Sequence, residues 1–218
     1  MFITVEGLDG SGKTTVLNKL VNFLNEKFPH LNLILTREPG GKDLKEAEKI
    51  REIILDSAND LSPVAEAMLY STSRRIHLEK VVWPALKEHK LVFCDRYIDS
   101  FYAYQGFARN LGYQYVKTLT ELVIDGAIPN LTIFFDLTPE EAQQRRNQSR
   151  LIVDRMEQEQ IDFHHKVYNG YRELIKETPE RFLIIDASKS EEQVFEEVKE
   201  KLLNHQLMKD YLSQNAFK

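Results

Sequence analysis

Short apolar runs alternate along this chain with longer stretches whose apolar residues recur three and four positions apart. The alternation predicts strands and helices in turn. Phe2-Ile-Thr-Val5 is apolar and β-branched, as in a strand buried on both faces. Val16, Leu17, Leu20, Val21 and Leu24 then keep helical spacing. A second strand is predicted over Leu31–Thr36, and a helix over 43–56 with Leu44, Ala47, Ile50, Ile54 and Leu55 facing inward. The pattern over 62–88 predicts a longer helix, kinked at Pro84, whose buried stripe is Ala65, Met68, Leu69, Ile76, Val81 and Val82. Leu91–Cys94 is the third strand; helices over 98–106 and 113–125 follow, with Gly112 and Gly126 as breaks. Leu131–Leu137 is the fourth strand, with Thr138 capping the next helix. Helical spacing returns from about 153 to 176, Phe182–Asp186 is a fifth strand, and Glu191–Leu203 a last amphipathic helix. The tail, 205–218, has weak periodicity and is expected to be loosely held. Strands alternating with helices mean βαβ units, hence an α/β fold in which a five-stranded parallel sheet is covered by helices on both faces.

The turn after the first strand adds chemistry. It reads Gly7-Leu8-Asp9-Gly10-Ser11-Gly12-Lys13-Thr14, followed by Thr15. A glycine-rich turn that happens to carry a lysine is the bland alternative. Strand, glycine loop and helix in this order are, however, the setting in which G-x-x-x-x-G-K-[ST] cradles phosphate. The helix start favours the same anions. Lys13 would reach the β- and γ-phosphates of a nucleoside triphosphate, and the Thr14 hydroxyl would take a place on Mg²⁺.

Composition narrows the class. At 218 residues the chain suits one domain spanning 1–218. A net charge of −5 argues against a bulk nucleic-acid binder. The single cysteine, Cys94, lies in an apolar run and permits no internal disulfide, which fits a reducing compartment. No basic-then-apolar leader opens the sequence and no apolar run is long enough for a bilayer, so a cytoplasmic protein is expected.

In a parallel sheet the carboxyl ends of the strands face the ligand crevice. Thr36-Arg37, Asp95-Arg96 and Asp136 are therefore expected near the phosphate loop. Asp95 is placed to hold Mg²⁺ opposite Thr14, or else to cap a helix; Arg96 is suited to a bidentate grip on phosphate. Arg145, Arg146 and Arg150 form a second basic cluster. It is either a solvated face offsetting Glu140 and Glu141, or a lid that closes over a transferring phosphoryl group.

Taken together, these segments resemble the bacterial thymidylate kinase family, P-loop nucleoside-monophosphate kinases that phosphorylate dTMP. The resemblance covers residues 1 to about 190. It rests on the phosphate loop from Glu6 to Thr15, Thr36-Arg-Glu-Pro-Gly-Gly41, Arg51-Glu-Ile-Ile-Leu-Asp56, and Ala65-Glu66 leading to Arg74. Asp95-Arg-Tyr97, Ala103-Tyr-Gln-Gly106, Phe135-Asp-Leu-Thr-Pro139 and Asp154-Arg-Met-Glu-Gln158 complete it. It implies a three-layer nucleoside-monophosphate-kinase-like fold with a short lid at about 143–152, ATP and dTMP as substrates, Mg²⁺ as cofactor, and a homodimer. It also implies roles. Asp9 would orient the acceptor phosphate and Arg96 would clamp it, supported by Arg37 and Arg51. Tyr70 would stack on thymine, Pro39 would pack near it and Arg74 would bond its edge, with Ser100 and Gln105 also at the acceptor. Tyr104 would fill the space a 2′-hydroxyl needs. Arg150 would be the lid arginine that offsets a phosphate loop lacking one, with Arg146 in reserve. Tyr70 and Tyr104 would serve equally as core-edge aromatics, and Arg51 as a surface ion-pair partner.

Two positions depart from the family pattern. Lys42 replaces a usual threonine, and Phe101 stands where Ser, Thr or Asn contacts the N3 side of thymine. A phenyl ring cannot bond N3–H, so dTMP is expected to bind more weakly and Phe101→Asn to tighten it. A kinase of another nucleoside monophosphate or of a deoxynucleoside is the nearest rival. A GTPase-type switch lacks its Asn-Lys-x-Asp segment here. A catalytically dead nucleotide-binding subunit sits poorly with intact Lys13 and Asp95.

Overall fold

A computed structural model of the chain describes residues 1–41, 43–149, 155, 156 and 158–215. Lys42, Arg150 and the rest of the expected lid beyond Ser149 lie outside the described residues. The first half runs β1 (Phe2–Gly7), α1 (Lys13–Lys27), β2 (Leu33–Arg37), α2 (Lys45–Leu55), α3 (Pro63–His77), α4 (Trp83–Lys87) and β3 (Leu91–Asp95). It continues with α5 (Ile98–Phe101), α6 (Tyr113–Ile124), β4 (Leu131–Asp136), α7 (Pro139–Ser149), α8 (Ile161–Glu177), β5 (Phe182–Asp186), α9 (Glu191–Asn204) and α10 (Gln206–Asn215).

The five strands form one parallel sheet in the order β2-β3-β1-β4-β5. The middle strands are apolar throughout because helices cover both faces: Ile3, Val92, Phe93 and Leu131 have no exposed surface. Register then sets the site. Val5 stands opposite Asp95 and Gly7 opposite Phe135, so the phosphate loop leaves the sheet beside the acid at the end of β3. Thr138 caps α7 as expected, with Glu141 donating its N–H to Thr138 Oγ1 at 3.3 Å. Among the described residues no helix is long and apolar enough to cross a membrane.

Three expectations change. The long helix over 62–88 is α3, a π-helical turn over Leu78–Val82, and α4. Pro84 offers no N–H and crowds the carbonyl four residues back, and the wider turn precedes it. The buried face of α3 is also rotated from the apolar stripe. Met68 is 45 % exposed, while Glu66, Ser73, Arg74 and His77 are buried. Finally, the tail as far as Asn215 is not loose. Met208 and Leu212 of α10 are buried, and Tyr211 donates its hydroxyl to the His89 carbonyl at 2.7 Å.

Candidate active site

The phosphate loop turns sharply because its glycines adopt positive φ. At Gly10 (φ 92°) a Cβ would also lie 2.6 Å from the Ala142 carbonyl oxygen, so the loop rides directly on α7. Lys13 folds back to donate to the Leu8 carbonyl at 2.8 Å. Burial, then the nearby Arg96 cation, lowers its ammonium to about 8. Thr14 Oγ1 donates to Asp95 Oδ2 at 2.7 Å. Gly10, Ser11, Gly12 and Thr15 line an open groove with Arg145, whose guanidinium is held by the Ser188 and Lys189 carbonyls at 3.1 and 3.4 Å. Arg146 is 7 % exposed and donates to the Asp9 carbonyl at 2.8 Å. That contact removes the solvated-face alternative for Arg146, which buttresses the loop from behind.

A second pocket opens on the other side of Asp9. Arg96, in a left-handed conformation (φ 67°), reaches Asp9 at 2.6 Å and Ser100 Oγ at 3.0 Å, with its guanidinium over the Tyr104 ring at 5.3 Å. Tyr104 donates its hydroxyl to Asp9 at 3.3 Å. Behind Arg96 lies a buried cluster. Ser100 donates to Glu6, and Tyr171 of α8 donates to the same carboxylate at 3.0 Å. The Tyr97 N–H meets its other oxygen at 2.8 Å. Burial, then the neighbouring Asp99, pushes the Glu6 carboxyl up to about 7. Ser100 lines the pocket, but its hydroxyl is spent on this cluster.

The far end of the pocket brings together Pro39, Arg51, Tyr70, Arg74, Phe101 and Gln105. Arg51 donates to the Pro39 carbonyl at 3.0 Å, which follows a cis peptide bond from Glu38. Arg74 is 2 % exposed, pairs with Glu38 at 2.8 Å, and lies over the Phe101 ring at 4.9 Å. Its Nη1 is buried without a hydrogen-bond partner. Phe101 is therefore packing for Arg74 and for Tyr70, whose ring centre is 6.2 Å away. Gln105 donates its amide to Glu66 at 2.9 Å.

One expectation fails on geometry. Arg37 does not line the pocket: its Nη2 meets both oxygens of Glu48 at 2.9 Å. Asp136 follows Phe135, which stands opposite Gly7, and its carboxylate is held by Tyr168 and Arg172 of α8. Residues unassigned by the sequence, namely Glu6, Glu38, Glu66, His77 and Tyr171, prove to hold the pocket side chains in place. For Glu6, Glu66 and His77 the signal was an acid or a histidine inside an apolar or helical run; Glu38 and Tyr171 carried none of that kind.

The Thr14 hydroxyl and Asp95 carboxylate suit a hard cation. Among the described residues no group of three or more His, Cys, Asp or Glu gathers elsewhere to hold a metal. Mg²⁺ that takes the rest of its shell from phosphates and water needs only one or two protein oxygens, so these residues fit it.

A glycine loop at a helix start and an Arg96-lined pocket that meet at Asp9 put the chain among P-loop nucleoside-monophosphate kinases. The thymidylate kinase family model matches residues 5–198. A thymidylate kinase of Mycoplasmopsis agalactiae is 55 % identical over 99 % of this chain and 100 % of its own length. One from Staphylococcus haemolyticus is 46 % identical over 93 % and 97 %. The crystal structure of thymidylate kinase from Ehrlichia chaffeensis superposes with a TM-score of 0.75 at 33 % identity, over 93 % of this chain and 97 % of that one. The chain belongs to the thymidylate kinase family.

Proposed function

We infer that this chain transfers the γ-phosphoryl group of ATP to the 5′-phosphate of dTMP, giving dTDP and ADP. The observation that carries this is the Asp9–Arg96 pair at 2.6 Å, where the phosphate loop and the acceptor pocket meet. The bond from the γ-phosphorus to the bridging oxygen breaks, and its electron pair leaves with ADP. An oxygen of the dTMP phosphate forms the new bond. That oxygen is already ionised near neutral pH, so no side chain removes a proton, and catalysis falls to positioning and charge.

Each region has its part. Lys13 and the loop N–H groups hold the donor phosphates, and Arg96 holds the acceptor phosphate in line. Mg²⁺ held between Thr14 and Asp95 would neutralise charge on the β- and γ-phosphates. Tyr70 and Pro39 flank the base, Tyr104 closes the space beside C2′, and Arg51 supports Pro39. Arg74 Nη1, buried and without a protein partner, is the donor assigned to thymine O4. The Gln105 amide nitrogen is fixed on Glu66, which leaves its carbonyl half to accept N3–H. Arg146 supports the loop through the Asp9 carbonyl, so the lid role rests on Arg150.

The protein works in the cytoplasm, where its single thiol stays reduced. It acts as a homodimer: Val64 and Met68 on α3, and Tyr115 and Leu122 on α6, are exposed apolar residues on two helices that pack together. The test is product analysis with ATP, Mg²⁺ and dTMP. Equal amounts of dTDP and ADP are expected, and ADP without dTDP would overturn this function.

A further inference from the structure

Arg74 would read the base, yet little of its own position is of its own making. Its Nε donates to Glu38 Oε2 at 2.8 Å, its Nη2 reaches the Tyr97 carbonyl at 3.4 Å, and Phe101 and Tyr97 lie against its faces at 4.9 and 5.3 Å. Nη1 alone is unpartnered. Glu38 is in turn held from behind. Its Oε1 meets His77 Nδ1 at 3.0 Å, and His77 Nε2 meets Thr36 Oγ1 at 2.6 Å. All four residues are buried: Thr36 is 6 %, His77 0 %, Glu38 5 % and Arg74 2 % exposed.

The direction of these bonds follows from charge. Arg74 is always a cation and Glu38 balances it, so the carboxylate accepts on both oxygens. His77 must then donate from Nδ1, and in the neutral ring Thr36 donates to Nε2. The chain Thr36–His77–Glu38–Arg74 thus runs from strand β2, across α3, to the pocket, with one donor aimed at each acceptor. Without the Nδ1 donor, Glu38 would be free to turn about its side-chain bonds and the Arg74 fork would turn with it.

We propose that His77 is a specificity-positioning residue, fixing Glu38 so that Arg74 Nη1 meets a pyrimidine bearing a carbonyl at C4 and discriminates against one bearing an amine there. A donor satisfied by the C4 carbonyl of thymine is left facing the amino group of cytosine, and an unpaired buried donor is what penalises the wrong base. This rests on the functional reading above, because it needs the dTMP base to lie at Arg74.

Two conservative variants separate positioning from bulk. In His77→Asn the side-chain amide nitrogen falls near Nδ1 and can still donate to Glu38. In His77→Gln the amide falls near Nε2 and serves Thr36 instead. The readout is kcat/KM for dTMP over that for dCMP, with ADP binding and thermal melting as controls of folding. His77→Gln is expected to lower the ratio about tenfold, mainly by raising KM for dTMP with kcat within about threefold. His77→Asn is expected to stay within about threefold of wild type. Equal ratios in the two variants, or a wild-type ratio in His77→Gln, would overturn the proposal alone. Should either variant fail to fold, Thr36→Val decides. It removes the Nε2 anchor of the ring at nearly constant volume, and the ratio should fall at least about threefold. A wild-type ratio in Thr36→Val overturns the proposal too. A wild-type chain with no preference for dTMP over dCMP would instead overturn the functional reading and this inference with it.

Discussion

Thr14 Oγ1 donates to Asp95 Oδ2 across 2.7 Å, joining the first turn of α1 to the end of β3. The bond spends the hydroxyl proton on the carboxylate and leaves the hydroxyl oxygen's lone pairs for a cation. Asp95→Asn would keep an acceptor for Thr14 while removing the negative charge. It is expected to lower kcat about 10²-fold, partly restored by raising Mg²⁺. A wild-type kcat with unchanged Mg²⁺ dependence would move the metal role elsewhere.

Glu6 gives a pH dependence of stability with a definite sign. Burial holds the folded-state carboxyl at about 7, against 4.5 for an unburied glutamate. The stability it contributes is therefore full below the unfolded value and is lost as pH rises through the folded one. Glu6→Gln is always neutral. Melting-temperature measurements across this window should show wild type losing ground to Glu6→Gln as pH climbs. A pH-independent difference, or one of opposite slope, would mean that Glu6 is ionised throughout.

Sugar selection is assigned to the Tyr104 ring. Its hydroxyl bonds Asp9 at 3.3 Å, so the phenol and the ring must be tested separately. Tyr104→Phe should keep the preference for dTMP over the ribonucleotide. Tyr104→Ala should narrow it, since a crowded, unpaired 2′-hydroxyl costs about 1–3 kcal/mol. An unchanged ratio in the alanine variant would return Tyr104 to a packing role.

The contacts of Phe101 favour the opposite of the expectation drawn from sequence. Its ring is 2 % exposed and covers the Arg74 guanidinium at 4.9 Å, a contact worth roughly 0.5–2 kcal/mol. Phe101→Asn should therefore raise KM for dTMP several-fold while kcat changes little. A lower KM would show that a polar group at this position still serves thymine N3–H.

Much of this was legible before the structure. The glycine loop, Asp95 and β5 (Phe182–Asp186) stood out because a parallel sheet writes itself as short β-branched runs ending in turn residues. The α10 helix did not. A ten-residue helix has little stability of its own, and burial of Met208 and Leu212 decides it. The inner face of α3 was misread for a different reason. A helix that lines a polar pocket buries Glu66, Arg74 and His77 and exposes Met68, which inverts the pattern that periodicity detects. Arg37 was misplaced because nothing in the sequence shows that Glu48 comes round to meet it.

The central claim is that dTMP is the phosphoryl acceptor. Steady-state ADP release at saturating ATP and Mg²⁺, compared across dTMP, dUMP, dCMP, dGMP, TMP with a ribose sugar, and thymidine, tests it most directly. The highest kcat/KM is expected with dTMP, with a clear loss for dCMP and for the ribonucleotide, and no turnover of thymidine, which offers no phosphate to Arg96. A higher kcat/KM for any other member of the panel would contradict it.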